Sequence, residues 1–364
     1  MRILNTKRAV ALAVAFTVLM METLPLPLSA GTKPHSGPQV ETQEGTQKPA
    51  IEVGQKTPEP TISIETALVN LDVLVTDQEG RVLSGLKREN FRVLDNGKPQ
   101  VITHFEPTSA PITIAMLMEY SGSAYNYFAY KAASWGSNFL NHLDPLDWVA
   151  LVTYDIKPTV QQDFTRNKAQ VQQTLGSLSY PQFREANMYD AIIDTLDRLE
   201  RVKGKKALLL ISTGANTMSA GTLDDTLKRI KHSDVTVFSV GVAESEHLHA
   251  GAAIGYLQAK NQLQTFAKLS GGSAWFPRFE GEIPDIFKSV AAFLRSQYSI
   301  GFSPKHLVHD GKYRKLRVEI VEPDGSPLIV TDPKGKRQKL IVYAREGYIA
   351  PNERTAILSD KQLR

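Results

Sequence analysis

The chain has 364 residues, an apolar content of 42% and a charged content of 22%, a formal net charge of +4, and no cysteine. This length allows one large domain with a smaller one, and the near-balanced charge favours neither nucleic acid nor an anionic membrane as a partner. The lack of cysteine excludes disulfides, thiol catalysis, thiolate metal sites and lipidation at a cleavage site.

Residues 1–30 have the pattern of a signal peptide. Basic side chains precede the apolar run 9–20, and small residues at Ser29-Ala30 form a cleavage site. The run is short for a bilayer span, so an uncleaved anchor is the less favoured alternative. We therefore expect an exported protein, periplasmic or extracellular, without a membrane span in its mature chain. Residues 31–61 are rich in Pro, Thr and Gln with few large apolar side chains, which predicts a disordered linker.

Residues 62–107 are predicted to form an N-terminal β unit. Apolar residues alternate with other residues over 69–75, which indicates a strand with one buried face. A second strand pair is predicted over 91–94 and 101–105, joined through Asn96-Gly97, because this dipeptide suits a tight hairpin turn. The unit is too small to be stable alone, so it needs partners elsewhere in the chain.

Residues 111–298 alternate between continuous apolar runs and amphipathic stretches. This order is typical of a mainly parallel sheet covered by helices on both faces, so the predicted fold class is a doubly wound α/β domain. The predicted strands are 112–118, 148–154, 207–212, 235–242 and 273–276, and the predicted helices are 125–140, 168–178, 188–201, 222–231, 257–269 and 283–295.

Residues 299–349 return to the period-two pattern of strands, with a turn at Pro323-Asp324-Gly325. We expect this C-terminal β unit to pair with residues 62–107 in one small β-sandwich, into which the α/β domain is inserted, because the termini of a domain commonly lie close together. Residues 350–364 are predicted to be a frayed tail.

Several segments give the chain a resemblance to a known family. The α/β region resembles a von Willebrand factor type A (vWA) domain, and residues 65–350 resemble the exported vWA-related proteins of Acidobacteria. The segments that carry the resemblance are Ser121-Gly122-Ser123, Met188 to Ile192, Leu208 to Gly214, Phe266 to Gly272, Leu294 to Tyr298 and Arg345 to Tyr348.

The resemblance implies a divalent cation site at the carboxyl ends of the strands, with Asp-x-Ser-x-Ser on one loop, a Thr on a second and an Asp on a third. In this chain those positions are Glu119, Ser121, Ser123, Ala186 and Thr213. Three of the five depart from the pattern. The glutamate places its carboxylate one bond further out, the alanine offers no side-chain oxygen, and the threonine removes an anionic charge. We therefore predict a degenerate site without a metal cofactor.

Other interpretations of this loop stay open. Calcium tolerates irregular oxygen shells better than magnesium does, so a shifted site could recruit Asn187 and Asp155. Alternatively, the hydroxyls of Ser121 and Ser123 cap the helix that begins near Ala124. Asp190 suits the first turn of a helix better than a metal shell.

The remaining candidates for chemistry are weaker. His247 and His249 could bind zinc or copper, but such a pair in a loop rich in Ala and Gly is usually solvated. Ser121 lacks the glycines of a nucleophile elbow, and the sequence has no glycine-rich phosphate loop. We therefore expect no enzymatic activity and no small-molecule substrate.

Aromatic residues crowd the first loop and the helix after it. Tyr120, Tyr125, Tyr127, Phe128 and Tyr130 could form a protein-binding patch, because aromatic side chains dominate interface hot spots. The competing interpretation, that Tyr127, Phe128 and Tyr130 pack against the sheet, is favoured by the pattern.

Two functions follow from the sequence. The first is an exported, non-enzymatic protein-binding module that acts without a bridging cation, and the alternative is an adhesion or receptor-like module that depends on Mg²⁺ or Ca²⁺. The residues predicted to contact the protein partner are Tyr120, Ser121, Ser123, Tyr125, Asn187, Thr213 and Asn216.

Overall fold

The computed structural model describes residues 68–107, 110–125, 129–242, 250–304, 309–332 and 334–351. The predicted signal peptide and linker lie outside the described residues, as do nearly all of the predicted tail, Tyr127, Phe128 and the His247/His249 pair. Within the described parts of the chain, no helix combines the length and hydrophobicity that crossing a membrane requires.

Sixteen strands and seven α-helices form in the described residues. The strands are β1 (Val69–Thr76), β2 (Phe91–Asp95), β3 (Lys98–Gln100), β4 (Ile102–Pro107), β5 (Ile112–Glu119), β6 (Trp148–Tyr154), β7 (Pro158–Thr165), β8 (Lys205–Ser212), β9 (Thr236–Gly241), β10 (Ala274–Trp275), β11 (Tyr298–Phe302), β12 (Tyr313–Ile320), β13 (Val330–Thr331), β14 (Arg337–Gln338), β15 (Ile341–Tyr343) and β16 (Gly347–Ile349). The helices are α1 (Gly122–Tyr125), α2 (Ala132–Leu140), α3 (Lys168–Gly176), α4 (Met188–Glu200), α5 (Leu223–His232), α6 (Ala250–Ser270) and α7 (Ile283–Ser296).

The central sheet has six strands in the order β10-β9-β8-β5-β6-β7, and β7 alone runs antiparallel to its neighbour. Apolar side chains project from both faces of this sheet. Met116 on one face packs with Phe139 of α2 and Phe287 of α7, and Leu117 on the other face packs with Ile192 of α4. Burial on both faces explains the continuous apolar runs of the sequence, and the predicted doubly wound α/β fold is confirmed.

The strands before and after the central sheet build a β-sandwich. One four-stranded sheet has the order β15-β1-β11-β4, and the other has the order β16-β12-β2-β3. Each sheet therefore joins N-terminal strands to C-terminal strands. Leu71 and Val73 of β1, Val93 of β2, Ile300 of β11 and Leu316 of β12 meet in one core between the sheets.

Strand β1 contributes to two cores, because its side chains alternate between two buried faces. Leu71, Val73 and Val75 point into the sandwich, whereas Leu74 belongs to the apolar cluster of the α/β domain. Asp72, which alternates onto the same side of β1 as Leu74, therefore faces the α/β domain.

Local differences from the predicted elements have physical reasons. Asn96 and Gly97 adopt φ values of 46° and 79° and join β2 to β3, as a tight hairpin turn requires. The predicted pairing of 91–94 with 101–105 is wrong, because Ile102–Pro107 crosses to the other sheet and pairs with β11. There Phe105 packs its ring against those of Phe91 and Tyr298.

Two elements of the α/β domain also differ from the expectation. The described part of the predicted helix 125–140 is α-helical at Tyr125, where α1 lies, and again from Ala132, whereas Ala129–Lys131 form a 3-10 turn. Strand β7 was missed because it lies at the sheet edge, begins with a proline and carries mainly polar side chains. Polar residues are tolerated there because one face and one edge of the strand are open to solvent.

The segments that carry the family resemblance mostly hold the fold together. Arg295 forms an ion pair with Asp147, whose side chain is fully buried and also accepts a hydrogen bond from the Ile112 amide at 2.9 Å. At Gly272 a Cβ atom would lie 2.0 Å from the Val237 carbonyl oxygen, so only glycine allows this close approach. These residues therefore fix helices and strands and lie away from the rim where the family site is expected.

Candidate functional site

Glu119 is the last residue of β5, at the carboxyl edge of the central sheet, and only 1% of it is exposed. Its Oε2 atom accepts hydrogen bonds from the Thr213 amide and hydroxyl, both at 2.8 Å, and from the Ser212 hydroxyl at 3.0 Å. Its Oε1 atom accepts a hydrogen bond from the Ser121 hydroxyl at 3.1 Å. The carboxylate is thus surrounded by donors of the protein itself.

The neighbouring strand explains how this arrangement forms. Strands β5 and β8 are adjacent and parallel, so their carboxyl ends place Glu119 beside Ser212 and Thr213. The additional methylene of glutamate carries the carboxylate across to the end of β8. An aspartate at position 213 would bring a second negative charge against Glu119, whereas threonine supplies a donor. The two departures from the family pattern are therefore physically complementary.

The hydroxyl groups of Tyr154 and Ser212 extend the hydrogen-bond network around the Glu119 carboxylate. The Tyr154 hydroxyl donates to the Ser212 oxygen at 2.7 Å and lies 3.5 Å from Oε2 of Glu119. Burial raises the pKa of Glu119 above its usual value, against the hydrogen bonds from Thr213, Ser212 and Ser121, which lower it. Burial also raises the pKa of Tyr154 well above its ordinary value, and the nearby Glu119 adds to this effect. The network is desolvated and held by neutral donors.

The two serines of the first loop have different surroundings. Ser121 is fully buried, donates to Glu119, and its oxygen accepts a hydrogen bond from the Ala124 amide at 3.2 Å in the short helix α1. Ser123 is exposed. Ser121 therefore has the helix-capping role of the alternative interpretation, and its lone pairs are directed into the protein.

The loop before α4 and the loop after β8, which carry the second and third positions of the family site, are connected by hydrogen bonds. The Asn187 side chain accepts a hydrogen bond from the Met218 amide at 3.1 Å and donates to the Ile156 carbonyl at 2.8 Å. Asn216 accepts from the Tyr189 amide at 3.2 Å. Asn187 and Asn216, both predicted partner-binding residues, thus shape this rim through their own hydrogen bonds.

Asp190 also connects loop segments. Its carboxylate accepts hydrogen bonds from the amides of Ala220 and Gly221, both at 2.8 Å, and it lies in the first turn of α4. The loop before α5 is therefore fixed to the N-terminus of α4, where a negative charge is favourable.

The side chains at the positions of the family's cation site offer few oxygen ligands that are not already hydrogen-bonded. The Glu119 carboxylate is desolvated and occupied by protein donors, and Ala186, which is 2% exposed, has no side-chain oxygen to offer. Among the described residues no group of three or more His, Asp or Glu side chains has the arrangement of a metal site. A cation at Oε2 would have to displace up to three hydrogen bonds, whereas one at Oε1 would compete with the hydrogen bond from Ser121 alone.

Tyrosine rings cluster beside this network. The Tyr125 ring lies 6.1 Å from that of Tyr120, 6.4 Å from that of Tyr130 and 4.3 Å from that of Tyr180, measured between centroids. Tyr180 is 63% exposed, Tyr130 is 52% exposed and Phe183 is 41% exposed. We call Tyr120, Tyr125, Tyr130, Tyr180 and Phe183 the tyrosine cluster.

The tyrosine cluster corrects the prediction for Tyr130 and contains two aromatic residues, Tyr180 and Phe183, that the sequence analysis did not name. Tyr130 was expected to pack against the sheet, but it lies in the 3-10 turn Ala129–Lys131 and its side chain is exposed. Tyr180 and Phe183 lie in the loop after α3 and line a cleft of about 360 Å³ with Tyr120 and Lys157. The sequence analysis missed them because they are about 60 residues from the first loop, although Tyr180-Pro181 in a polar loop was a visible signal.

Comparisons with solved structures find similar α/β domains. An aerotolerance-related membrane protein from Bacteroides fragilis is 15% identical, with 50% of this chain and 98% of that chain covered and a TM-score of 0.41. A von Willebrand factor type A protein from Catenulispora acidiphila is 11% identical, with 73% and 74% covered and a TM-score of 0.43. The vWF domain of the type V pili tip protein Mfa5 from Porphyromonas gingivalis is 13% identical, with 51% and 95% covered and a TM-score of 0.40.

Comparison with curated proteins found no match. The resemblance to exported relatives in Acidobacteria therefore stays a prediction. Residues 113–272 match the family model described as the von Willebrand factor type A domain, and this segment includes the network around Glu119 and the tyrosine cluster.

Proposed function

We propose that this protein is an exported, non-enzymatic module that binds another protein at the carboxyl rim of its central sheet, without a bridging cation. The observation that carries this proposal is the tyrosine cluster. The Tyr125 ring lies near those of Tyr120, Tyr130 and Tyr180, and the exposed side chains of Tyr130, Tyr180 and Phe183 present apolar area beside the end of β5. Tyrosine gives a large contact area at a small cost in conformational entropy, which is why it is enriched in interfaces.

The surroundings of the cluster support binding that does not need a metal. In a cation-dependent module the first loop must leave carboxylate lone pairs open to an ion and to a ligand from the partner. Here the lone pairs of Glu119 are directed at Ser121, Ser212 and Thr213. The hydrogen bonds of the network instead hold the loop that carries Tyr120 and Tyr125 in one conformation, and a preorganised loop lowers the entropic cost of binding.

Capture of the partner tests the proposal. The unchanged protein should capture a partner from an envelope extract. A double variant with Tyr125→Ala and Tyr180→Ala should fail to capture it, because each aromatic hot spot contributes about 2 kcal/mol or more to binding. Tyr313→Ala is the control, since Tyr313 is an exposed tyrosine of the sandwich. Equal capture by all three proteins would place the interface elsewhere.

Cation titration separates this proposal from the cation-dependent alternative. Millimolar Mg²⁺ or Ca²⁺ should leave the melting temperature unchanged, whereas an ion present at 100 times its Kd would stabilise the fold by about 2.7 kcal/mol. A variant with Glu119→Asp, Ala186→Thr and Thr213→Asp restores the family ligands and serves as the comparison. A rise in melting temperature for the unchanged protein would support the alternative function.

A further inference from the structure

A cleft lies at the amino ends of the central strands, opposite to the rim with Glu119. It has a volume of about 660 Å³ and is lined by the first residues of β8 and β9, Lys205 and Thr236. Asp72 and Ser299 of the sandwich, together with Arg345, complete its wall. This volume is within the range of small-molecule sites, and the position between two packed domains is a common one for them.

Some charged groups in the cleft are paired. The Lys206 ammonium lies 2.7 Å from the Asp234 carboxylate, and Glu200 accepts a hydrogen bond from Arg229 at 2.6 Å. At the mouth, Nε2 of His104 lies 3.7 Å from the Glu106 carboxylate. These groups already have polar partners within the protein.

Four other charged groups of the lining form no ion pair among the described residues: Lys203, which is exposed, and the more buried Lys205, Arg345 and Asp72. The Lys205 ammonium donates to the Leu294 carbonyl, and the Arg345 guanidinium donates to the carbonyls of Gly347 and Lys231. Asp72 accepts no hydrogen bond from the part of the chain that the structure describes. Neutral carbonyl groups thus replace the carboxylates that usually accompany buried cations.

The desolvation of these groups is substantial. Burial lowers the pKa of Lys205 to about 8, and the nearby Asp72 only partly opposes this effect. Burial also lowers the pKa of Arg345 and raises the pKa of Asp72. The fold therefore keeps two cations and one carboxylate in an environment that disfavours charge, which is typical of binding sites.

We propose that this cleft binds a small dicarboxylate that also carries a hydroxyl or ammonium group. The two carboxylates complement Lys205 and Arg345, whose guanidinium fork suits a carboxylate. The hydroxyl or ammonium group donates to Asp72, which can only accept hydrogen bonds when it is ionised. This site is independent of the tyrosine cluster, which lies at the other end of the sheet.

Calorimetry with a matched ligand series tests this proposal on the full chain at low salt. Succinate, L-malate and L-aspartate share one carbon skeleton and differ only in the group at the second carbon. We expect L-malate or L-aspartate to bind about tenfold more tightly than succinate, because a hydrogen bond to a charged group contributes that much. Inorganic phosphate, an anion without a second carboxylate, should bind more weakly than any of them.

Variants of the cleft residues test which side chain contacts which group of the dicarboxylate. Lys205→Met should weaken all three dicarboxylates about tenfold or more, and Arg345→Gln should do the same if that variant folds. Asp72→Ala should remove the preference for L-malate or L-aspartate over succinate, because it leaves no side-chain acceptor at this position. Lys336→Gln, in an exposed turn, lowers the net charge by the same amount as Lys205→Met and should leave binding unchanged.

Two results would overturn the proposal. The first is the absence of binding of every dicarboxylate at about 10 mM, a concentration that detects even weak sites. The second is equal binding by the unchanged protein and by Lys205→Met, because the anion would then be held elsewhere. Circular dichroism of each variant shows that loss of binding does not come from loss of the fold.

Discussion

Two carboxylates lie at opposite ends of the central sheet, and their surroundings differ in one respect. Glu119 at the carboxyl end accepts hydrogen bonds from Ser121, Ser212 and Thr213, whereas Asp72 at the amino end accepts none from the described residues. Burial raises the pKa of both groups. The carboxylate at the rim is therefore surrounded by donors of the protein, whereas Asp72 in the cleft has neither a donor nor an ion pair among the described residues.

This contrast indicates that the hydrogen bonds of a buried carboxylate decide whether it has a structural role or is available to a ligand. A carboxylate with several donors is part of the structure, and its removal leaves those donors without acceptors. A carboxylate without donors contributes little to stability and is available to a ligand. The following measurements test this distinction, from the largest expected effect to the smallest.

Glu119→Ala should lower the free energy of unfolding by about 3 kcal/mol or more, because it removes the acceptor of the buried Ser121 and Ser212 hydroxyls and of the half-buried Thr213 amide, and it opens a cavity. Glu119→Gln should cost less than about 1.5 kcal/mol, since its carbonyl oxygen can accept from Thr213 while its amide group donates to Ser121. Urea unfolding measures both. If the two variants are equally stable, the network contributes little to the fold.

Asp72→Asn should raise the free energy of unfolding at neutral pH by about 0.5–2 kcal/mol, because it removes a desolvated charge that has no donor. This sign is opposite to that expected for Glu119→Ala. Urea unfolding in the same buffer measures it. A destabilised Asp72→Asn variant would show that the Asp72 carboxylate is structural, and the comparison of the two ends would fail.

Ser121→Ala should destabilise the protein by about 1–2 kcal/mol, because it removes a donor to Glu119 and the acceptor for the Ala124 amide. Ser123→Ala is the matched control, since Ser123 is an exposed serine of the same loop. Thermal unfolding compares them. Equal effects would indicate that the buried hydroxyl has no special role.

The pH dependence of stability gives a smaller effect with a defined sign. Because the pKa of folded Glu119 lies above the ordinary 4.5, the folded protein binds more protons than the unfolded protein as the pH rises from that value. The contribution of Glu119 to stability is thus fully present below about pH 4.5 and declines as the pH increases through the folded pKa.

Urea midpoints of the unchanged protein and of Glu119→Gln measure this effect, because other titrating groups cancel in the difference. The unchanged protein should be most stable relative to the variant at the acidic end of the series. An advantage that grows towards neutral pH would mean that the hydrogen bonds outweigh desolvation and that the pKa is lowered.

The sequence allowed much of the fold to be predicted, because local patterns report burial directly. The apolar run before Glu119 predicted a central strand, and Asn96-Gly97 predicted a hairpin. The same logic missed β7, whose alternation is weak because it lies at an edge. Pairings between distant strands, such as β4 with β11, depend on the packing of the sandwich and leave no local signal.

The candidate site was predictable only in part. The departures at Glu119, Ala186 and Thr213 could be read from one sequence, but the hydrogen bonds between Glu119 and Thr213 depend on the adjacency of β5 and β8. Tyr180 joins the tyrosine cluster through a loop whose conformation the sequence pattern does not determine. Unpaired charges such as Asp72 cannot be recognised before the partners of every nearby charge are known.

The pairing of β1 with β11 and β15 has a consequence for biogenesis. Val73 lies opposite Tyr298 and Leu74 lies opposite Tyr343, so the first strand meets its neighbours only after more than 200 further residues. Such long-range contacts slow folding, because a large loop must close before they form. The sandwich therefore cannot close before nearly the entire polypeptide has been synthesised.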